Sequence, residues 1–205
     1  MSFSANQIHV GDRFAFGRYA PTGETESAPV FWTVLAAEPD RMLVLAEKIL
    51  DMQPYHNTET PVRWEDCDLR RWLNDYFLNT AFCDQERRQI WVPESAEDPM
   101  GDLLWQLFGM ETVTAQIQDQ VFLLNGTDLD AYFPHEGLFY TGLSTTATEA
   151  VEKMSGSDLC WWLRSSMQGS PFAYIVSPCD SVGASRIDGS NRNGVRPAMW
   201  LRLEP

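Results

Sequence analysis

Positive charge is what this sequence most lacks. Lysine and arginine together number 15 against 29 aspartates and glutamates, giving a formal net charge of −14. A phosphate-binding face needs clustered cations, so nucleic acid is excluded as a partner. An anionic membrane surface is disfavoured for the same reason. Long apolar runs are missing too: no stretch approaches the roughly 18 residues of a membrane-spanning helix. The opening MSFSANQIHVGDRF has no apolar segment of the secretory kind. The expectation is a chain without membrane insertion or export signal, hence cytoplasmic or phage/virion-associated, with its thiols reduced.

Groups that carry chemistry are equally sparse. The four cysteines, Cys67, Cys83, Cys160 and Cys179, form no C-x-x-C pair and fit no zinc spacing. The three histidines, His9, His56 and His135, share no motif, although a Cys–His dyad needs only to meet in space. No nucleophile elbow, phosphate loop, dinucleotide fingerprint or HExxH occurs. The nearest approach to a calcium loop is Asn125-Gly126-Thr127-Asp128-Leu129-Asp130. It reads as a capped helix start, with a cation site as the alternative. The expectation is a protein with no catalytic residues, no metal and no cofactor.

What is abundant is core material. Hydrophobic residues make up 44% of the 205, including 8 Trp and 11 Phe, enough for a sizeable and irregular core. GDRFAFGRY (11–19) alternates and reads as a strand. PVFWTVLAAEPDRMLVLAEKIL (29–50) reads as two strands around Glu38-Pro39-Asp40, and 51–63 reads as loop. Leu69, Trp72, Leu73, Tyr76 and Phe77 recur at helical spacing, with Asp66 or Asp68 as the cap. A short helix starts near Asp84, VFLLNG (121–126) reads as a strand, and 126–134 as a capped helical turn. Residues 93–118 read as an insertion. Between the apolar blocks CWWLRS (160–165) and VRPAMWLRL (195–203) the chain turns to small residues with short apolar pulses, as short strands joined by loops do. The blocks predict that Trp162 and Trp200 are buried. Arg164 and Arg196, each inside a block, read as buried guanidinia satisfied by carbonyls or a carboxylate, with anion binding as the alternative. Trp64, Trp72, Trp161 and Trp162 read as core before they read as sugar-stacking surfaces. The whole is expected to be one α+β domain over 1–205, with small mixed or antiparallel sheets, early helices, long irregular loops and paired N- and C-terminal strands.

Several of these blocks together carry a family resemblance: F-G-R-Y, W-T-V-L (32–35), L-A-E-K-I-L-D (45–51), R-W-E-D-C-D-L-R-R-W-L-N (63–74), V-F-L-L-N (121–125), C-W-W-L-R-S and G-V-R-P-A-M-W-L (194–201). They resemble a bacterial domain family of unknown function in the C-type-lectin-like group, which also holds the formylglycine-generating enzyme. The resemblance implies that fold and leaves function open. It implies copper only if Cys160 and Cys179 stood in that enzyme's motif, which they do not. The calcium triplets of carbohydrate-binding lectins, E-P-N or Q-P-D with W-N-D, do not occur.

A third set of relatives, the variable proteins of diversity-generating retroelements, suggests a function. Their C-terminal codons mutate at adenines, and an AAC codon so diversified becomes NNC, which cannot encode Lys, Glu, Gln, Met or Trp. Those five types supply 41 of the 205 residues, yet none occurs from Gly169 to Ala198. Random draws from the same composition would leave such a gap roughly once in a thousand. A loop rich in glycine and serine would leave it as well. On the first reading the chain is a non-enzymatic recognition protein for a protein or other macromolecular ligand. Its binding surface then lies at 165–193, and Tyr174, Ser177, Asp180, Ser185, Arg186, Asp188, Ser190, Asn191, Arg192 and Asn193 are its contact residues. Such a mixture of one aromatic anchor, both charges and small polar groups resembles a paratope. The alternatives are an oxidase of the formylglycine-generating type and a structural or phage adaptor.

Overall fold

The computed structural model describes residues 3–92, 119–133, 160–177, 181–190 and 192–204. Strands β1 (Arg13–Tyr19), β2 (Ala28–Ala37) and β3 (Arg41–Ala46) run as an antiparallel meander. The turn at Glu38 is closed by Glu38 N–H donating to the Arg41 carbonyl at 2.8 Å. Strand β4 (Asp51–Gln53) follows, then β5 (Ile90–Trp91) beyond the helices. The C-terminal third supplies β6 (Trp161–Ser166), β7 (Phe172–Val176), β8 (Val182–Arg186), β9 (Asn193–Val195) and β10 (Ala198–Arg202). They form two five-stranded sheets, ordered β1-β2-β3-β10-β5 and β4-β9-β6-β7-β8. Every pairing is antiparallel except β6 with β9. The chain is thus mixed α+β, with two antiparallel-rich sheets and few helices.

The two sheets are joined where two of the chain's crossings between them run side by side. One crossing runs from β3 to β4, the other from β9 to β10. Ala46 N–H donates to the Pro197 carbonyl at 2.8 Å, and Leu50 N–H to the Val195 carbonyl at 2.9 Å. Arg196 lies in the second crossing, 2% exposed. Its Nε and Nη2 donate to the carbonyls of Ala46 and Glu47 at 3.1 and 3.2 Å, so a buried guanidinium ties the crossings together. Burial pushes its pKa down to about 9, still leaving it charged at neutral pH. The structural reading of Arg196 holds. Gly194, at the same place, lies hard against Ile49: a Cβ would meet its Cδ1 at 2.6 Å and force the isoleucine to shift.

The early helix is a composite of α1 (Asp68–Trp72), a π turn (Leu73–Phe77) and α2 (Leu78–Ala81). Its cap is neither Asp66 nor Asp68. Cys67 is the N-cap, its sulfur accepting from Arg70 N–H at 3.3 Å. Asp68 instead accepts from Asn57 N–H at 2.9 Å. Leu69, Leu73 and Phe77 are buried as the spacing predicts, but Tyr76 is 52% exposed. The wider π turn rotates it off the apolar face. Helix α3 (Asp84–Arg87) follows, closed by Glu86 reaching back to Cys83 N–H at 2.8 Å. Glu86 also accepts from Gly17 N–H at 3.1 Å. Gly17 has φ 75°, and a Cβ there would strike the Phe82 ring at 2.6 Å, so only glycine admits this approach of β1 to the helices.

Four other expectations are corrected. Residues 51–53 are strand rather than loop, because Asp51 is wholly buried and its segment pairs with β9. VFLLNG is apolar because it is buried, not because it is a strand: it makes only an isolated bridge, Phe122 to Ala198. The first and last strands do not pair, since β2 and β3 lie between them. The terminal segments meet instead through a bridge between Ser4 and Glu204. Trp200 is only half-buried, packed edge-on to Trp91 at 6.3 Å under the Arg41 guanidinium. Trp162 is fully buried, as are Trp161 and Trp64 to within 3%, and Trp72 is partly buried against the same core. Trp162 Nε1–H donates to the Gln53 carbonyl at 2.8 Å. The proposed insertion at 93–118 lies outside the described residues.

Candidate ligand-binding surface

The segment singled out in the sequence folds as a β-hairpin followed by a turn. Gly169, at φ 67°, turns the chain between β6 and β7, where Ser170 N–H donates to the Met167 carbonyl at 3.1 Å. Strands β7 and β8 then pair with Phe172 opposite Arg186, Tyr174 opposite Ala184 and Val176 opposite Val182. Period-2 alternation divides the hairpin. Ala173, Ile175 and Ile187 are buried on the inner face. Phe172, Tyr174, Val182, Ala184 and Arg186 share the outer face, and each is at least partly exposed. Of the apolar pulses in the sequence, Ile175, Val176 and Ile187 are buried anchors of the hairpin, whereas Phe172, Tyr174 and Val182 stand on its exposed face.

Arg186 sits at the end of the hairpin. It pairs with Glu59 at 2.7 Å and reaches Asp188 at 3.3 Å. Asp188 is only 8% exposed. It accepts from Ser190 N–H at 3.0 Å and from the Ser190 hydroxyl. These bonds, the hydroxyl's foremost, hold its carboxyl below the usual range. Loop 54–63 buttresses the turn: His56 N–H donates to the Ile187 carbonyl at 2.8 Å. His56 Nδ1 lies 2.7 Å from Asp68, at ion-pair distance without hydrogen-bond alignment.

The contact residues expected from sequence therefore divide. Arg192 and Ser190 are exposed, and Tyr174, Ser177, Ser185, Arg186 and Asn193 are partly so. Burial raises the Tyr174 phenol above its ordinary range. Asp188 is a correction to the contact set: it is inside, spent on holding its own turn, as Asp commonly is. Ser190 serves the same turn. Asp180, Asn191 and Cys179 lie outside the described residues. Sequence reasoning missed Glu59 and His56, because their roles arise from a long-range contact that no local pattern announces.

The remaining candidates are structural. Arg164 pairs with Asp128 at 3.3 Å. Asn125 and Asp128 form a reciprocal cap on the Gly126–Tyr132 helix, with bonds of 2.7 and 2.9 Å, so the N-x-T-D motif is a helix start. Among the described residues no group of three or more His, Cys, Asp or Glu is placed to hold a metal. No helix of the described residues is long and apolar enough to cross a membrane.

Fold and surface together define a mixed α+β domain whose last third carries a hairpin and turn anchored by apolar residues. The chain belongs to the family described as a domain of unknown function (DUF6273), whose pattern matches residues 39–203. No curated protein and no solved structure matches it.

Proposed function

We propose that this protein is a non-enzymatic recognition module of the C-type-lectin-like kind. On this reading it displays the outer face of the β7–β8 hairpin, the adjoining turn at 187–190 and Arg192 to a macromolecular ligand, as variable proteins of diversity-generating retroelements do. One observation carries it. The stretch from Gly169 to Ala198 that lacks Lys, Glu, Gln, Met and Trp is also one in which buried anchors alternate with exposed positions. Side chains at Tyr174, Arg186 and Arg192 can change while Ala173, Ile175, Ile187 and Val195 keep the backbone in place. Tyrosine and arginine are the residue types that usually dominate interface energies.

The test is an array of immobilised glycans, peptides and proteins probed with the wild type and with Tyr174→Ser/Arg186→Ser/Arg192→Ser. The reading expects a wild-type signal that the triple variant loses while keeping a cooperative melt. Signals equal in the two proteins would overturn it.

A further inference from the structure

Among the described residues, strand β8 ends its sheet, with β7 on one side and no strand on the other. Main-chain groups alternate in direction along an antiparallel strand, and two hydrogen bonds fix which way each β8 residue faces. Ser177 N–H donates to the Ser181 carbonyl at 2.9 Å, and Ile187 N–H to the Pro171 carbonyl at 3.1 Å. Pairs 177/181 and 171/187 are therefore of the hydrogen-bonded kind, and so are 175/183 and 173/185 between them. Gly183 and Ser185 spend their main-chain groups on β7. Those of Val182, Ala184 and Arg186 point out of the sheet, and no hydrogen bond among the described residues uses them.

Edges of this kind are normally blunted by Lys, Pro, a bulge or a covering loop. Along β8 the sequence is Val-Gly-Ala-Ser-Arg: Arg186, paired with Glu59, guards its last position, and Val182 to Ser185 carry no charge, Pro or bulge. The β7–β8 register runs without a bulge, whereas the β6–β7 and β1–β2 registers shift. Val182 is 40% exposed and Ala184 is exposed. Small residues leave the backbone open to close approach.

We infer that this edge receives an extended polypeptide segment as a sixth strand, antiparallel to β8, with alternate side chains of the segment lying against Val182, Ala184 and Tyr174. The inference rests on the proposed recognition surface and names the kind of ligand it takes. Charge decides between a peptide and a second copy. The chain carries −14, and at the rim the cation Arg186 is already paired with Glu59, so a second copy is repelled and a basic segment attracted. Five residues of β8 present about 17 Å of edge, the length of an extended segment of about five residues. For an extended segment, main-chain bonds supply the affinity.

The probe is a capped peptide of alternating valine and threonine flanked by lysines, titrated into the ¹⁵N-labelled protein. Amide shifts are expected at Val182, Ala184 and Arg186 and not at Gly183 or Ser185. The same peptide N-methylated on alternate edge-facing amides should bind about tenfold more weakly or worse, as should Ala184→Pro, whose missing N–H faces outward and costs the sheet nothing. No shift at millimolar peptide, shifts without alternation, or full binding by the N-methylated peptide overturns the inference. A wild-type dimer in sedimentation that Ala184→Pro abolishes gives the edge to a second copy, which also overturns it. If Ala184→Pro leaves array binding intact while Tyr174→Ser/Arg186→Ser/Arg192→Ser removes it, the edge inference fails and the recognition surface stands. If neither changes binding, both fail.

Discussion

Arg186 and Asp188 lie 3.3 Å apart at the mouth of the β7–β8 hairpin, yet one is half-exposed and the other buried. The guanidinium leans out to Glu59 at 2.7 Å, whereas the carboxylate turns in to hold the Ser190 N–H. Replacing each in turn separates surface from scaffold. Asp188→Ala removes the buried carboxylate that holds the turn through Ser190 N–H and hydroxyl and should lower the melting temperature clearly. Arg186→Ala removes a solvent-screened pair and should leave it near wild type. Equal effects in thermal melts would contradict this division.

Trp162 is the keystone of the second sheet. Its ring is fully buried, meets Tyr55 edge-on at 5.5 Å and donates to the Gln53 carbonyl at 2.8 Å. Trp162→Ala should cost about 3–5 kcal/mol in denaturant unfolding, as large aromatic deletions from cores do. Trp162→Phe, which keeps the ring and loses the N–H, should cost less.

Asp51 is a buried carboxylate held by neutral donors. It accepts from the Tyr19 hydroxyl at 2.5 Å, from Thr22 N–H and hydroxyl at 2.9 and 2.8 Å, and from Met52 N–H at 2.7 Å. Asp51→Asn would set an amide NH₂ against these donors. The expected loss is about 3 kcal/mol, measured by chemical denaturation, with Tyr19→Phe milder.

The cysteines should differ in reactivity. Cys67 is buried, and desolvation pushes its thiol up to about 12, whereas Cys83 is exposed. Iodoacetamide on the native protein should therefore label Cys83 while Cys67 reacts only after unfolding, as peptide mass mapping would show. The raised folded value also sets a sign. Unfolded Cys67 ionises near its ordinary 9.0 and folded Cys67 near 12, so its contribution to stability is complete below pH 9 and is lost as pH rises from there to about 12.

Much of the architecture was legible in the sequence. The alternation of residues 11–19, the continuous apolar run of β3 and the recurrence of Leu69, Leu73 and Phe77 are direct prints of burial. The apolar pulses at Ile175 and Ile187 likewise marked the anchors of the surface. What sequence could not show were consequences of distant contact. Asp51 reads as a loop acid until Tyr19 and Thr22 surround it. VFLLNG reads as a strand because apolar runs do not reveal whether a partner strand lies beside them. Asp188 reads as a surface charge because turn-capping leaves no pattern beyond the Asp itself. Trp200 sits in an apolar block whose neighbours Met199 and Leu201 point inward, and strand alternation sends it to the other face.

The central claim is that the hairpin and turn are a changeable surface on a fixed scaffold. It is tested most directly by randomising Tyr174, Ser177, Arg186 and Arg192 with NNC codons, displaying the library on yeast and reading protease resistance before and after panning against lysozyme. The account predicts that most members stay resistant, that panning enriches lysozyme binders, and that a matched library at Asp51, Trp162, Asp188 and Arg196 is largely cleaved. A surface library cleaved as fully as the matched one, or resistant yet barren of binders, would contradict it.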